Sequence, residues 1–505
     1  MDGDTLRDLL AAAYGTRLEG ISLAHDDDRE PAAISLADRI APMLGAPLAD
    51  RPAPQPAEEP PPWPRWADVP TRTAEQAVDD VRAVTTWATA RGADLEAIEI
   101  RVSPTGNRSV YARRPIWRQD PVMFVPRDLM IVDENIEASG LGEVMSSLHG
   151  ELASGHTPLA VWLASERLRP DSPWRTYLES LPSTPDLPAF RDRADMALLV
   201  DTTARLTALR HRLTLDGDHA KVAELLGDQA PSLAALAWAR AVIGSRLFKL
   251  EIDGNDRRVL VPVADFFDAG DGGDATWSYN DADRGLVVTA ARNIAEGEEI
   301  RLRYGEFTNA HFLTHYGFGA PDNPDDTALL VFPPAPDPLR DVAAAALWGH
   351  PLSQPVAIEA GYRIESGFRR ALSLARMRAA SYRDLIKGTD AGRWDLNELL
   401  WLHADHDRAA LELIADAARA GIARLDAHAL TDVTTPWQRT VATVRAGERA
   451  VLEAIVALRE RAEPYLADPS PWPWRRAATS MDIMCTGADC LVRSYILMIA
   501  DELPR

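Results

Sequence analysis

The sequence predicts an α+β protein in which a β-rich domain is split by a helical insertion and followed by an all-helical C-terminal region. Three observations predict it. Period-two alternation occurs in two distant places, at Ile98, Ile100 and Val102 and again across 257–304. Between them, 186–250 carries the three-to-four-residue apolar spacing of helices. From about 331 to 505 that helical spacing takes over. At roughly 100–200 residues per domain, a chain of 505 residues has room for about two to four domains.

The elements follow in order. Residues 1–50 form an appendage with two short helical patterns, Leu6, Leu9, Leu10 and Ile34, Leu36, Ile40, Leu44. Residues 51–70 are a linker, because Arg51 to Pro64 holds seven prolines in fourteen residues and proline fixes φ and removes donors. The β-rich domain spans 71–330, opening with an amphipathic helix from Thr73 to about Arg91 that stops at Gly92. The strand at 98–102 is bounded by Pro104 and Gly106, and short β pieces follow at Val110–Tyr111 and Val122–Val125. Residues 134–168 read as helix, and the insertion ends in LAALAWARAVIGSRLF at 233–248. Three strand patterns then return, RRVLVPV, GLVVTA and IRLRY, separated by Gly/Asp turns. The helical C-terminal domain occupies 331–505, and no repeat of 20–50 residues runs through the chain.

Charge narrows the function classes. Lys+Arg 54 against Asp+Glu 76 gives a formal charge of -22. Binding to a phosphate backbone needs a basic field, so nucleic acid is not an expected partner. No apolar run approaches the ~20 residues that span a bilayer, and Met1 to Gly20 has no continuous apolar core. A membrane is therefore not expected as a partner, and the expected location is cytoplasmic. Cys485 and Cys490 read as two thiols in a reducing compartment.

No metal is expected either. His403 and His406, with Asp405 and Asp407, have a spacing that suits a ligand pair but read as an exposed face of a core helix. Asp268, Asp271 and Asp274 lie in a glycine-rich loop without the residue order of a calcium-binding loop. Glycine-rich nucleotide cradles of the G-x-G-x-x-G and G-x-x-x-x-G-K-[ST] kinds are absent.

The chemistry-bearing segment is 261–324. It reads as a strand ending near Asp265, an acidic loop, and a hairpin turning at Asn280 to Arg284. A second turn leads to a strand that ends at Tyr304, and a short helix then reaches Tyr316. Each tyrosine follows an element end, where an apolar ring with a polar tip suits a pocket wall as well as an ordinary core. The ordered landmarks are Pro262 and Asp265, Ile294, Gly297-Glu298-Glu299-Ile300, Tyr304-Gly305, Asn309, Tyr316-Gly317-Phe318 and Asn323-Pro324. This frame resembles the C-terminal half of the SET domain of the Rubisco large-subunit lysine methyltransferase-like subfamily. FVPRDLMI at 124–131, LAVWLASERLRPDSPWRTYLESLP at 159–182 and AWARAVIGSR at 237–246 resemble it upstream. LSLARMR at 372–378 and VRAGERAVL at 444–452 resemble its helical substrate-binding domain.

The resemblance implies methyl transfer from S-adenosylmethionine to a protein lysine, with a histidine or a small amine as other acceptors. It places Tyr304 beside the transferred methyl and Tyr316 as a second pocket tyrosine. Arg246 falls on an arginine that contacts the polar part of the donor. The family's Asn-His donor pair is here Asp268-Ala269. Its glycine-rich donor loop falls on Gly106 to Ala112, with Gly106 and Arg108 as donor contacts, but Asn107 and Ser109 stand at its glycine positions. These departures leave two alternatives: a SET-like pocket reused without methylation on a small molecule, and a non-catalytic binding module.

Overall fold

The computed structural model describes residues 59–332 apart from 149, 184 and 271, and residues 356–359, 367–379, 404–467 and 495. The appendage at 1–50, His403, Cys485 and Cys490 lie outside the described residues.

Helix α1, Ala74–Thr89, starts where Thr73 and Gln76 cap each other reciprocally, and it buries Ala77, Val81, Val84 and Ala88 along one stripe. A hairpin follows, β1 (Ile98–Val102) with β2 (Arg108–Ala112). Next come β3 (Pro121–Pro126) and helix α2 (Thr157–Leu168). The insertion contributes α3 (Thr203–Leu226) and α4 (Leu233–Arg246). After it come the hairpin β4 (Leu247–Ile252) with β5 (Asn255–Leu260), then β6 (Asp268–Ala269), β7 (Ala275–Asn280), β8 (Gly285–Ala290) and β9 (Arg301–Leu302).

One five-stranded sheet has the order β3-β8-β7-β9-β6. Strand β8 is antiparallel to both β3 and β7, with Ala275 opposite Ala290 and Asn280 opposite Gly285. Strand β9 runs parallel to both β6 and β7. The β3–β8 pairing joins the segments before and after the insertion, so strands from both β regions share this sheet, while β1–β2 and β4–β5 remain separate two-stranded sheets. Val125, Leu286 and Val288 on this sheet share one core with Trp238 and Val242 of α4.

C-terminal to this sheet lie β10 (Thr327–Leu330), β11 (Val356–Glu359), α5 (Gly367–Ala379), α6 (Ala404–Ala427) and α7 (Pro436–Ala467). They enclose a second core that includes Leu330, Phe368, Leu372, Leu411 and Ile455. Within it Asp407, fully buried, takes two hydrogen bonds from Arg376, at 2.7 and 2.9 Å, and one from Tyr495. The aspartate read beside a ligand-like histidine pair is thus an ion-pair partner.

Four details depart from the sequence reading. The helical stretch at 134–168 is three helices, Asp133–Ala138, Leu141–Ser146 and α2, the first two separated by Gly140 at φ 75°. Strand β4 starts directly after Arg246, because LFKLEI alternates buried and exposed residues and pairs with β5. The IRLRY pattern yields only the two-residue β9, paired with β6 and at Leu302 with β7. Strand β11 interrupts the region read as helical by completing the edge of β10.

Candidate active site

Arg246 ends α4, where the chain turns into β4. Its Nη1 donates to the Asp265 carbonyl at 3.0 Å and to Asp265 Oδ2 at 2.9 Å. The same carboxylate oxygen accepts from the Tyr177 hydroxyl at 3.1 Å. The Asp265 side chain has no exposure, and its Oδ1 has no hydrogen-bond partner among the described residues. Burial works against the charge on Arg246, but Asp265 and Tyr177 outweigh it and raise its pKa.

Arg108, from β2, lies in the same charged cluster, its guanidinium 5.0 Å from the Phe266 ring. Burial first, and then the charge of Arg246, lowers its pKa. Among the described residues, the Nε–H groups of both Arg108 and Arg246 are buried without a partner. An orphaned buried donor costs roughly 1–3 kcal/mol. Two of them on neighbouring guanidiniums fit a ligand that brings an anionic group.

Asp268 and Ala269 form β6, hydrogen-bonded in parallel to Arg301 and Leu302. The Ser109 hydroxyl donates to Asp268 Oδ2 at 2.6 Å, so two of the four residues that depart from the SET pattern the sequence resembles touch each other. Burial raises the Asp268 pKa; Ser109 lowers it, and Glu299 raises it again.

The Tyr304 hydroxyl donates to the Phe267 carbonyl at 2.6 Å. Its ring lies 4.9 Å from that of Tyr316, inclined at 48°. Burial first, then the negative charge of Asp268, pushes the Tyr304 pKa up, and burial raises that of Tyr316. Both phenols are therefore neutral across the physiological range. Tyr316 owes its position to Gly317, which ends the Phe312–Tyr316 turn at φ 84°. A Cβ on Gly317 would stand 2.6 Å from the Asp186 carbonyl oxygen, so only glycine fits there.

The structure therefore brings Arg108, Arg246, Asp268, Ala269, Tyr304 and Tyr316 to the junction of β2, the end of α4, β6 and the Asn309–Tyr316 helical turn. Gly106 is apart from these contacts. It sits at φ 87° in the β1–β2 turn, where its N–H donates to Ser103 O at 2.9 Å.

Sequence reasoning missed a histidine column beside Tyr316. His311 stacks on His315 at 4.0 Å and on Phe307 at 4.1 Å, and His211 of α3 meets His315 edge-on at 4.8 Å. Burial lowers the pKa of His311 to about 4 and that of His211 to about 3, so these rings are neutral at pH 7. The signal available was HFLTHY, where two histidines four apart share one helix face just before Tyr316.

No family model matches the chain. Among curated proteins, the actin-histidine N-methyltransferase of Canis lupus familiaris is 28% identical over 258 residues, covering 48% of this chain and 43% of that protein. The Homo sapiens protein of the same name is 27% identical over the same span. The chain thus matches less than half the length of these relatives. Among solved structures, the SET domain of LSMT bound to lysine and AdoHcy superposes with a TM-score of 0.62 at 20% identity, covering 83% of this chain and 99% of that one. Rubisco LSMT bound to AdoMet gives 0.60 at 20% identity, covering 82% and 99%. The architecture is that of the SET domain.

Proposed function

We propose that this chain is an S-adenosylmethionine-dependent methyltransferase acting on a protein side-chain nitrogen, with lysine as the acceptor. The observation that carries this reading is the tilted Tyr304–Tyr316 pair set beside two arginines with unpartnered Nε–H groups, all in a SET fold. The relatives and structural neighbours named above, described as methyltransferases or as bound to AdoMet, AdoHcy or lysine, support it.

Bound in this site, the donor would supply an electrophilic methyl on a sulfonium. The chain's own residues would do the rest by position. Arg246, with Arg108 behind it, would hold the donor's carboxylate through charge-assisted hydrogen bonds. The Tyr304 and Tyr316 rings would exclude water from the acceptor nitrogen, and that desolvation favours its neutral, nucleophilic form. The Tyr304 hydroxyl, fixed by the Phe267 carbonyl, presents its oxygen lone pairs at a set orientation. Neither tyrosine ionises, so the acceptor's proton leaves to solvent before transfer.

A second reading, histidine as acceptor, is favoured by the actin-histidine methyltransferases at 27–28% identity. The test uses donor carrying a labelled methyl group, the full chain and a protein extract, followed by acid hydrolysis. Label in methyl-lysine supports the first reading and label in methyl-histidine the second. Donor binding without transfer to any protein would return the weight to a SET-like pocket used for another purpose.

A further inference from the structure

The loop from Arg113 to Asp120, between β2 and β3, carries Trp117 with 64% of its surface exposed. Exposing so large a ring forgoes the stabilisation its burial would give. The loop is nevertheless well anchored. Ile116 is 1% exposed and exchanges main-chain hydrogen bonds with Ile294, both at 2.9 Å. Gln119 N donates to Ala290 O at 2.8 Å, and Ala290 N to Asp120 O at 3.0 Å. Arg118 N donates to the Asn293 side chain at 2.9 Å. Gln119 takes φ 75°, a left-handed conformation that a side chain rarely adopts without support.

The charges on this loop differ from those nearby. Arg292 is paired with Asp274 and Glu298, Arg301 with Glu299, and Arg303 with Glu306. Arg113, Arg114 and Arg118 are all exposed, and none has a side-chain ion pair or hydrogen bond among the described residues. A rigid, outward-facing tryptophan flanked by three uncommitted guanidiniums has the composition that dominates binding energy at protein interfaces. The pre-formed loop also reduces the ordering cost of association.

We propose that this loop is a docking surface for a protein segment rich in Asp and Glu that carries an apolar side chain. The guanidiniums would pair with its carboxylates, and Trp117 would be covered by its apolar group. The proposal does not depend on the reaction assigned to the chain. Three guanidiniums on one short loop neutralise too few phosphates to hold a nucleic-acid duplex, and a single tryptophan gives little insertion into a bilayer.

The test is fluorescence anisotropy of the full chain with a short labelled peptide of glutamates around one leucine. The controls are its lysine counterpart, a duplex DNA and phosphatidylserine vesicles. We expect the acidic peptide alone to bind. The double variant R114E/R118E should lose at least about tenfold in affinity at low salt, and Trp117→Ala about tenfold. The Trp117 loss should persist at high salt, since apolar contact is not screened. All three sites are exposed, and an unchanged melting temperature, with R114Q/R118Q as the milder pair, shows that the fold is retained. Equal affinity of wild type and variants, absence of acidic-peptide binding, or preference for DNA or vesicles would each overturn the proposal.

Discussion

Ser109 on β2 and Asp268 on β6 are joined by a 2.6 Å hydrogen bond across 159 positions of sequence, from the serine hydroxyl to the carboxylate. Each stands where the SET resemblance expects a different residue, and in this chain the two side chains satisfy each other. An aspartate taken into this half-buried position needs a donor, and a glycine at 109 would supply none. We therefore expect Ser109→Ala to cost about 1–2 kcal/mol of stability in urea titrations. The double variant Ser109→Ala, Asp268→Asn should cost less than the sum of the singles, because with the carboxylate gone the lost hydroxyl leaves no half-buried charge unpaired. Strict additivity would show that the contact is not maintained in solution.

The junction between the sheet domain and α7 holds a pH-dependent group. Glu448 is 2% exposed, and its Oε1 accepts from Thr203 N at 2.7 Å and from the Thr203 hydroxyl. Asp326 and Arg445 bear on it from either side, the first raising and the second lowering its pKa. Burial dominates and lifts the Glu448 pKa from 4.5 to about 8, while that of Asp326 rises from 3.8 to about 6. A folded pKa above the unfolded one means that the stability tied to protonation is complete below about pH 4.5. It is then lost as pH climbs toward about 8. The melting temperature should fall across that window, and Glu448→Gln should flatten most of the decline. An unchanged slope in the variant would assign the pH dependence elsewhere.

Gly317→Ala should be among the most damaging single-methyl changes. The added Cβ meets the Asp186 carbonyl oxygen at 2.6 Å, in a backbone with φ 84°. We expect a loss of about 2–4 kcal/mol by chemical denaturation. Any catalytic activity should fall beyond what unfolding explains, because Tyr316 is displaced. A variant as stable as wild type would show that the turn adapts.

Tyr304→Phe separates catalysis from structure. If the hydroxyl orients the acceptor in the transition state, single-turnover rate drops about 100-fold while donor affinity stays within about twofold. If it only satisfies the Phe267 carbonyl, the variant loses about 1 kcal/mol of stability and keeps its rate. Measuring both quantities on one preparation distinguishes the outcomes.

Much of the fold was legible because its signals are local. The β7–β8 hairpin is written in ATWSYN and GLVVTA around the Asn280–Arg284 turn, and α1 in its Thr73 cap and apolar stripe. The β6–β9 pairing was not legible, since two residues carry no periodicity and the parallel register is set by the surrounding main chain. Tyr304 and Tyr316 were legible through the ordered landmarks around them. The histidine column was not, because His211 reaches His315 only after α3 folds back against the Asn309–Tyr316 turn. Neither was the Arg246–Asp265–Tyr177 network, whose members come from three separate elements.

The most direct measurement is calorimetric titration of S-adenosylmethionine into the full chain and into Arg246→Ala. The account predicts saturable one-site binding to wild type. A charge-assisted contact of about 1.5–3 kcal/mol corresponds to an affinity loss of roughly ten- to a hundredfold in the variant. No saturable binding to wild type, or equal binding to both proteins, would contradict it.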